Sequence, residues 1–203
     1  MNNSESLTQT LLAQLQGAPM QKLAQQLGAD AGQTQNAVSA ALPLLFGALG
    51  QNAQQGGGAS IMNALQRDHG GSGDVGSLLG SLLGGAGSGK QDGAAILGHI
   101  FGAGKQRQVE SGLGQATGLG GQASDLLKLL APIVMAFLAQ RVQSSHLNAD
   151  DLGRTLNTEK QQAQQQGGHV GGLLGSLLDQ DGDGKVGLTD LMKIGGSLLG
   201  GKR

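Results

Sequence analysis

The chain has no cysteine, no tryptophan and no tyrosine, and only three phenylalanines and three prolines in 203 residues. Without cysteine there can be no disulfide, no thiolate metal centre and no cysteine nucleophile, whatever compartment the protein occupies. Charge is scarce too. Thirteen basic against fourteen acidic side chains leave a net charge of -1, and no basic run is long enough to follow a phosphate backbone, so nucleic acid is not an expected partner. The longest apolar run, residues 126–139, carries Lys128 and Pro132 and falls short of the roughly 20 residues a bilayer demands, so no membrane span is expected. Residues 1–16 are polar, with no basic stretch leading into an apolar one. No signal peptide is visible, and a cytoplasmic location is the default, export by an unmarked route remaining open.

Glycine is what the chain has in excess, 39 of 203 residues. Each one inside a helix costs about 1 kcal/mol relative to alanine, so a loosely held, mobile fold is expected. Leucines at 7, 11, 12 and 15 recur at helical spacing after Ser4 or Ser6, and Gly17 with Pro19 closes that helix. Further helices are expected over 19–28, 34–49 (bent or restarted at Pro43), 60–66, 78–83, 94–101, 106–115, 123–143, 149–164, 171–178 and 190–199. No sustained period-two alternation occurs, so the expected fold class is all-α.

The helices come in two sets. Slid against itself by about 90 residues, the chain matches in blocks. Residues 11–17 (LLAQLQG) lie over 96–102 (ILGHIFG), 23–28 over 113–118, 38–49 over 127–138 with Pro43 on Pro132, 61–65 over 152–156, and 75–83 (VGSLLGSLL) over 170–178 (VGGLLGSLL). The expected organisation is a tandem duplication of one multi-helix unit, with a first repeat at 1–90 and a second at 91–203.

One stretch specifies a chemistry. In 179–190, DQDGDGKVGLTD, Asp179, Asp181, Asp183 and Asp190 fall at positions 1, 3, 5 and 12 of a helix-loop-helix calcium loop. Gly184 supplies the sharp turn at position 6, Lys185 would ligate through its main-chain carbonyl, Val186 is the apolar anchor, and Gly187 leaves room for a water. Four carboxylates in twelve residues repel one another unless a cation lies among them; the bland reading is an acidic, glycine-rich turn that binds nothing. Asp190 is one methylene shorter than the usual bidentate glutamate. That predicts monodentate or water-bridged ligation and an affinity toward the weak end of the roughly 10⁻⁶ to 10⁻³ M range, too weak to fill at resting cytoplasmic calcium. The loop resembles those of dockerin modules, which also close with aspartate.

The duplication disposes of a competing motif. Residues 84–90, GGAGSGK, read superficially as a phosphate-binding loop, but Gln91 stands where a serine or threonine should hold magnesium, and no strand precedes it. A shift of 95 residues puts Gly84, Ala86, Ser88 and Gly89 on Asp179, Asp181, Asp183 and Gly184. The segment reads as the same loop without its ligands, so the first half should bind no metal. Residues 19–49 have the outline of a helix-turn-helix DNA reader, yet 34–41 offers no arginine or lysine for bases or phosphates, and core packing is the expected role. His69, His99, His146 and His169 are scattered, without i, i+4 pairing. No serine sits in a nucleophile elbow with a base and an orienting partner, and the chain is expected not to be an enzyme.

The two proline blocks (ALPLLFGAL and LAPIVM), the ILGHIFG block and the terminal LLDQDGDG together resemble domain-of-unknown-function family 937, the YidB-related bacterial proteins. The resemblance covers most of the chain and implies a helical fold; the family carries no established activity. The expected function is therefore a non-enzymatic bacterial protein that binds one calcium ion (Ca2+) at 179–190. The alternative is a helical interaction or self-association module, with a protein partner or a homo-oligomer, in which the loop is structural.

Overall fold

A computed structural model describes residues 6–68, 89–102 and 105–165, and every element among them is helical. In order these are α1 (Leu7–Leu15), α2 (Ala18–Leu27), α3 (Ala31–Asn52), a π-helical turn (Ala53–Gly57), α4 (Gly58–Asp68), α5 (Gly89–Phe101), α6 (Gln106–Thr117), α7 (Gln122–Ser145) and α8 (Ala149–Gln165). The helices expected at 78–83, 171–178 and 190–199 lie outside the described residues, as does the loop 179–190 with Asp179, Asp181, Asp183, Lys185 and Asp190.

Local chemistry sets the boundaries. Pro19 in the first turn of α2 loses only an amide hydrogen bond that the helix start never makes. Gly28 and Gly118 end α2 and α6 in the left-handed conformation, with φ 64° and 73°, where a side chain would be strained. Asp30 then caps α3, its carboxylate accepting from the Gly32 and Gln33 amides at 2.8 and 3.2 Å. Asn148 caps α8 similarly, accepting from the Asp151 amide at 2.9 Å.

The two longest helices are buried on most sides and carry the prolines in their interiors. Neither Pro43 nor Pro132 restarts its helix; α3 and α7 run through them, because packing on most sides outweighs one lost backbone hydrogen bond. Each proline does leave the carbonyl four residues earlier without its helical donor. At Pro43 that carbonyl belongs to exposed Ser39. At Pro132 it belongs to Lys128, and there α5 comes so close that a β-carbon on Gly93 would collide with the Lys128 carbonyl. This contact explains why α5 starts at Gly89, five residues earlier than the periodicity predicts: the residues read as the tail of a ligand-free loop continue a helix pressed onto α7.

The halves share one core. Phe46 of α3 meets Phe137 of α7 edge to face, ring centres 6.3 Å apart. A single cluster of buried side chains extends from Leu7 to Leu156. α8 lies along α3, where a β-carbon on Gly50 would sit 2.7 Å from the Leu156 carbonyl, and α5 lies along α7. The residues expected to pack rather than read DNA do so, Thr34, Ala37, Val38 and Ala41 being fully buried. The apolar run 126–139 sits inside a 24-residue helix that is long and apolar enough to cross a membrane by length and composition, and 78% of its most apolar window is buried against the other helices.

Candidate functional site

Glu159 is the buried charge of the described fold, 6% exposed. Its carboxylate accepts from the Ser6 hydroxyl at 2.7 Å, the Leu7 amide at 2.6 Å, the Thr8 amide at 3.3 Å and the Thr8 hydroxyl at 3.0 Å. Leu7 and Thr8 open α1, and no side chain of α1's own caps it. Glu159 thus caps α1 from α8, satisfying orphan amides and facing the positive end of the helix dipole. All four donors come from Ser6 and the first residues of α1, so this carboxylate anchors that helix.

The open site lies at the junction of α3 and α4. At Gly56 the backbone takes φ 92°, a non-helical conformation, and the chain kinks there between α3 and α4. Gly57 is required beside it, since a β-carbon there would run into Asn52. The kink is fastened on both flanks. The Asn52 amide donates to the His99 carbonyl of α5 at 3.2 Å, and the Gln54 amide donates to the Asn157 side chain of α8 at 2.6 Å, with Lys160 donating to Gln54 at 3.5 Å.

Next to this turn is a cleft in two compartments. The larger, about 500 Å³, is walled by Leu49 of α3, Ile61 and Ala64 of α4, Ile96 and Ile100 of α5 and Met135 of α7, with Asn52, Ser60 and His99 as its polar groups. The smaller, about 230 Å³, shares Asn52, His99 and Ile100 with it and is lined further by Gln51, Gln55 and Lys105. The larger compartment has the volume and the mainly apolar wall of a small-molecule site, whereas the smaller is below that size and lined mostly by polar surface. Among the described residues no acidic side chain lines either compartment.

Sequence reasoning did not find this cleft. The mark it leaves in the sequence is the run of three glycines at 56–58 between two helical segments. Of the histidines, His99 is exposed on α5 at the cleft and His146 ends α7 in the left-handed region with φ 50°. His69, His169 and the calcium-loop residues lie outside the described residues. Among the described residues no group of three histidine or carboxylate side chains converges as metal ligands would.

A family model described as "bacterial protein of unknown function (DUF937)" matches residues 9–141. No curated protein and no solved structure matches the chain.

Proposed function

We propose, from the premise that this chain belongs to the DUF937 family of bacterial proteins of unknown function, that it is a non-enzymatic calcium-binding protein built by tandem duplication. The observation that carries the calcium reading is the register of 179–190: Asp179, Asp181, Asp183 and Asp190 at the four side-chain ligand positions, Lys185 at the carbonyl position and Gly184 at the turn. The loop lies beyond the matched residues 9–141, so the calcium reading rests on this sequence itself.

The duplication reading draws support from matched local features. α1, α2, α3 and α4 correspond in order to α5, α6, α7 and α8 under the self-alignment. Gly17 and Gly102 occupy matched positions with φ 83° and 74°, as Gly28 and Gly118 do with 64° and 73°. Pro43 and Pro132 lie inside matched helices. The central helices pack on each other, and each meets the fourth helix of the opposite half. Under this reading the first copy lost its loop ligands and the second kept them.

Calorimetric titration of the full chain with calcium tests the proposal, set against an Asp179→Ala, Asp181→Ala double variant. One ion per chain with a dissociation constant between about 10⁻⁵ and 10⁻³ M is expected for the parent chain and none for the variant. Absence of both binding heat and a melting shift at millimolar calcium would overturn it. A calcium-dependent change in molecular size would place the loop in self-association, the interaction-module reading.

A further inference from the structure

Under the self-alignment, the walls of the larger compartment have counterparts on the opposite side of the molecule, and those counterparts are closed. Leu11, Leu15, Phe46 and Leu152 are 0%, 0%, 0% and 1% exposed. The matched Ile96, Ile100, Met135 and Ile61 are half-buried or 6 to 8% exposed. Where α3 places the rigid ring of Phe46, α7 places the thinner, adaptable chain of Met135. The larger compartment, about 500 Å³, is the space that difference leaves.

This compartment has a polar end and an apolar end. At the kink, the Asn52 amide donates to the His99 carbonyl at 3.2 Å, and a β-carbon on Gly57 would run into Asn52. Ser60 stands one turn further along α4 than Gly57, on the same face, so Asn52, Ser60 and His99 gather at this end. One more turn from the kink, α4 contributes Ala64 and α5 contributes Ile96, and Leu49 and Met135 complete an aliphatic wall. Among the described residues, no lysine, arginine, aspartate or glutamate lines this compartment; Lys105 belongs to the smaller one, beyond the Asn52–His99 hydrogen bond. An ionised head placed here would lose hydration and find no ion partner, so the lining favours an uncharged ligand.

We propose that the larger compartment, by itself, binds a compact, neutral, mainly aliphatic molecule with one hydroxyl, in its simplest form an alicyclic alcohol. The Asn52 amide is already engaged with His99, so the hydroxyl meets the Ser60 hydroxyl and the His99 imidazole. The ring lies against Ala64, Ile96 and Met135, where apolar area removed from water supplies the affinity.

The proposal does not depend on the calcium reading, and its test is run in a calcium chelator so that the two stand or fall separately. Cyclohexanol is titrated into the full chain and followed by the methionine methyl resonances, with cyclohexanecarboxylate as the same ring carrying a charge and cyclohexane as the ring without a head. Met135 lines the compartment and Met20 of α2 does not. Cyclohexanol is expected to move the Met135 methyl saturably and to leave Met20 in place, while the carboxylate binds at least about tenfold more weakly. Ser60→Ala combined with His99→Leu weakens cyclohexanol about fivefold, the contribution of one hydrogen bond, and does not weaken cyclohexane. Ala64→Leu fills the apolar end and lowers binding of both at least about tenfold; Ile96→Phe fills it from α5 should the first variant not fold. Absence of a saturable Met135 shift at millimolar cyclohexanol overturns the proposal. A carboxylate that binds as tightly as the alcohol, filled variants that bind like the parent chain, or a Ser60, His99 double variant that loses cyclohexane equally, overturn it as well.

Discussion

Two sides of this molecule follow one plan and are packed unequally. Around α3, the opposite half's α8 lies close along the helix and α1 is held at its tip by the Glu159 carboxylate. Around α7, α5 takes the close position through Gly93, and α4, the counterpart of α8, touches α7 over a shorter stretch. A sequence repeat preserves which helices meet. How tightly they meet is decided by single residues: Gly50 and Phe46 on one side, Gly93 and Met135 on the other. The slack left at α4 becomes a cleft.

That comparison can be broken at several points. The largest effect is expected from Phe46→Ala, which removes the ring at the meeting of α3 and α7 and leaves a cavity in a fully buried place; urea unfolding should show a loss of about 4 kcal/mol. Gly93→Ala pushes a methyl group into the Lys128 carbonyl, and α5 must back away from α7 at a cost of about 3 kcal/mol, read from the same unfolding curve. The matched residue of the other half, Thr8, already bears a side chain; there the close glycine contact is instead Gly50 of α3 against the Leu156 carbonyl of α8. Glu159→Ala strands the Leu7 and Thr8 amides and costs about 2 kcal/mol. Its signature is local: amide hydrogen exchange should accelerate in α1 before it does in α5, and equal acceleration in both would contradict the anchoring role. Smallest is Asp179→Ala with Asp181→Ala, which in calcium-free buffer should move the melting temperature by less than about 2 °C, since it removes mutual repulsion rather than a packed group.

The helices were legible because their signals are local. Leucine spacing, Pro19 at a helix start and glycines at 17, 28 and 118 mark ends that need no tertiary context. The all-α class and the family followed. The prolines were legible as matched landmarks but misleading as punctuation: Pro43 reads as a bend or restart, and burial on most sides makes a continuous helix cheaper. The early start of α5 escaped because Gly93 looks like a helix breaker in sequence and is a contact point in space. The cleft escaped for a similar reason. It depends on a kink at Gly56 whose surroundings, Gln-Gln-Gly-Gly, are those of an ordinary linker, and on a Phe-to-Met difference that both a filled and an open core allow. Glu159 gave no signal, because its partners Ser6, Leu7 and Thr8 lie about 150 residues away.

Reciprocal exchange at the matched position tests the unequal packing most directly. Melting of Met135→Phe and Phe46→Met, each followed by circular dichroism against the parent chain, should give shifts of opposite sign. Met135→Phe fills the slack beside α4 and raises the midpoint by roughly 3 °C, equivalent to about 1 kcal/mol, while Phe46→Met lowers it by more. A Met135→Phe chain that melts below the parent would mean that α7 is already full at this point, and the account of an open side would be wrong.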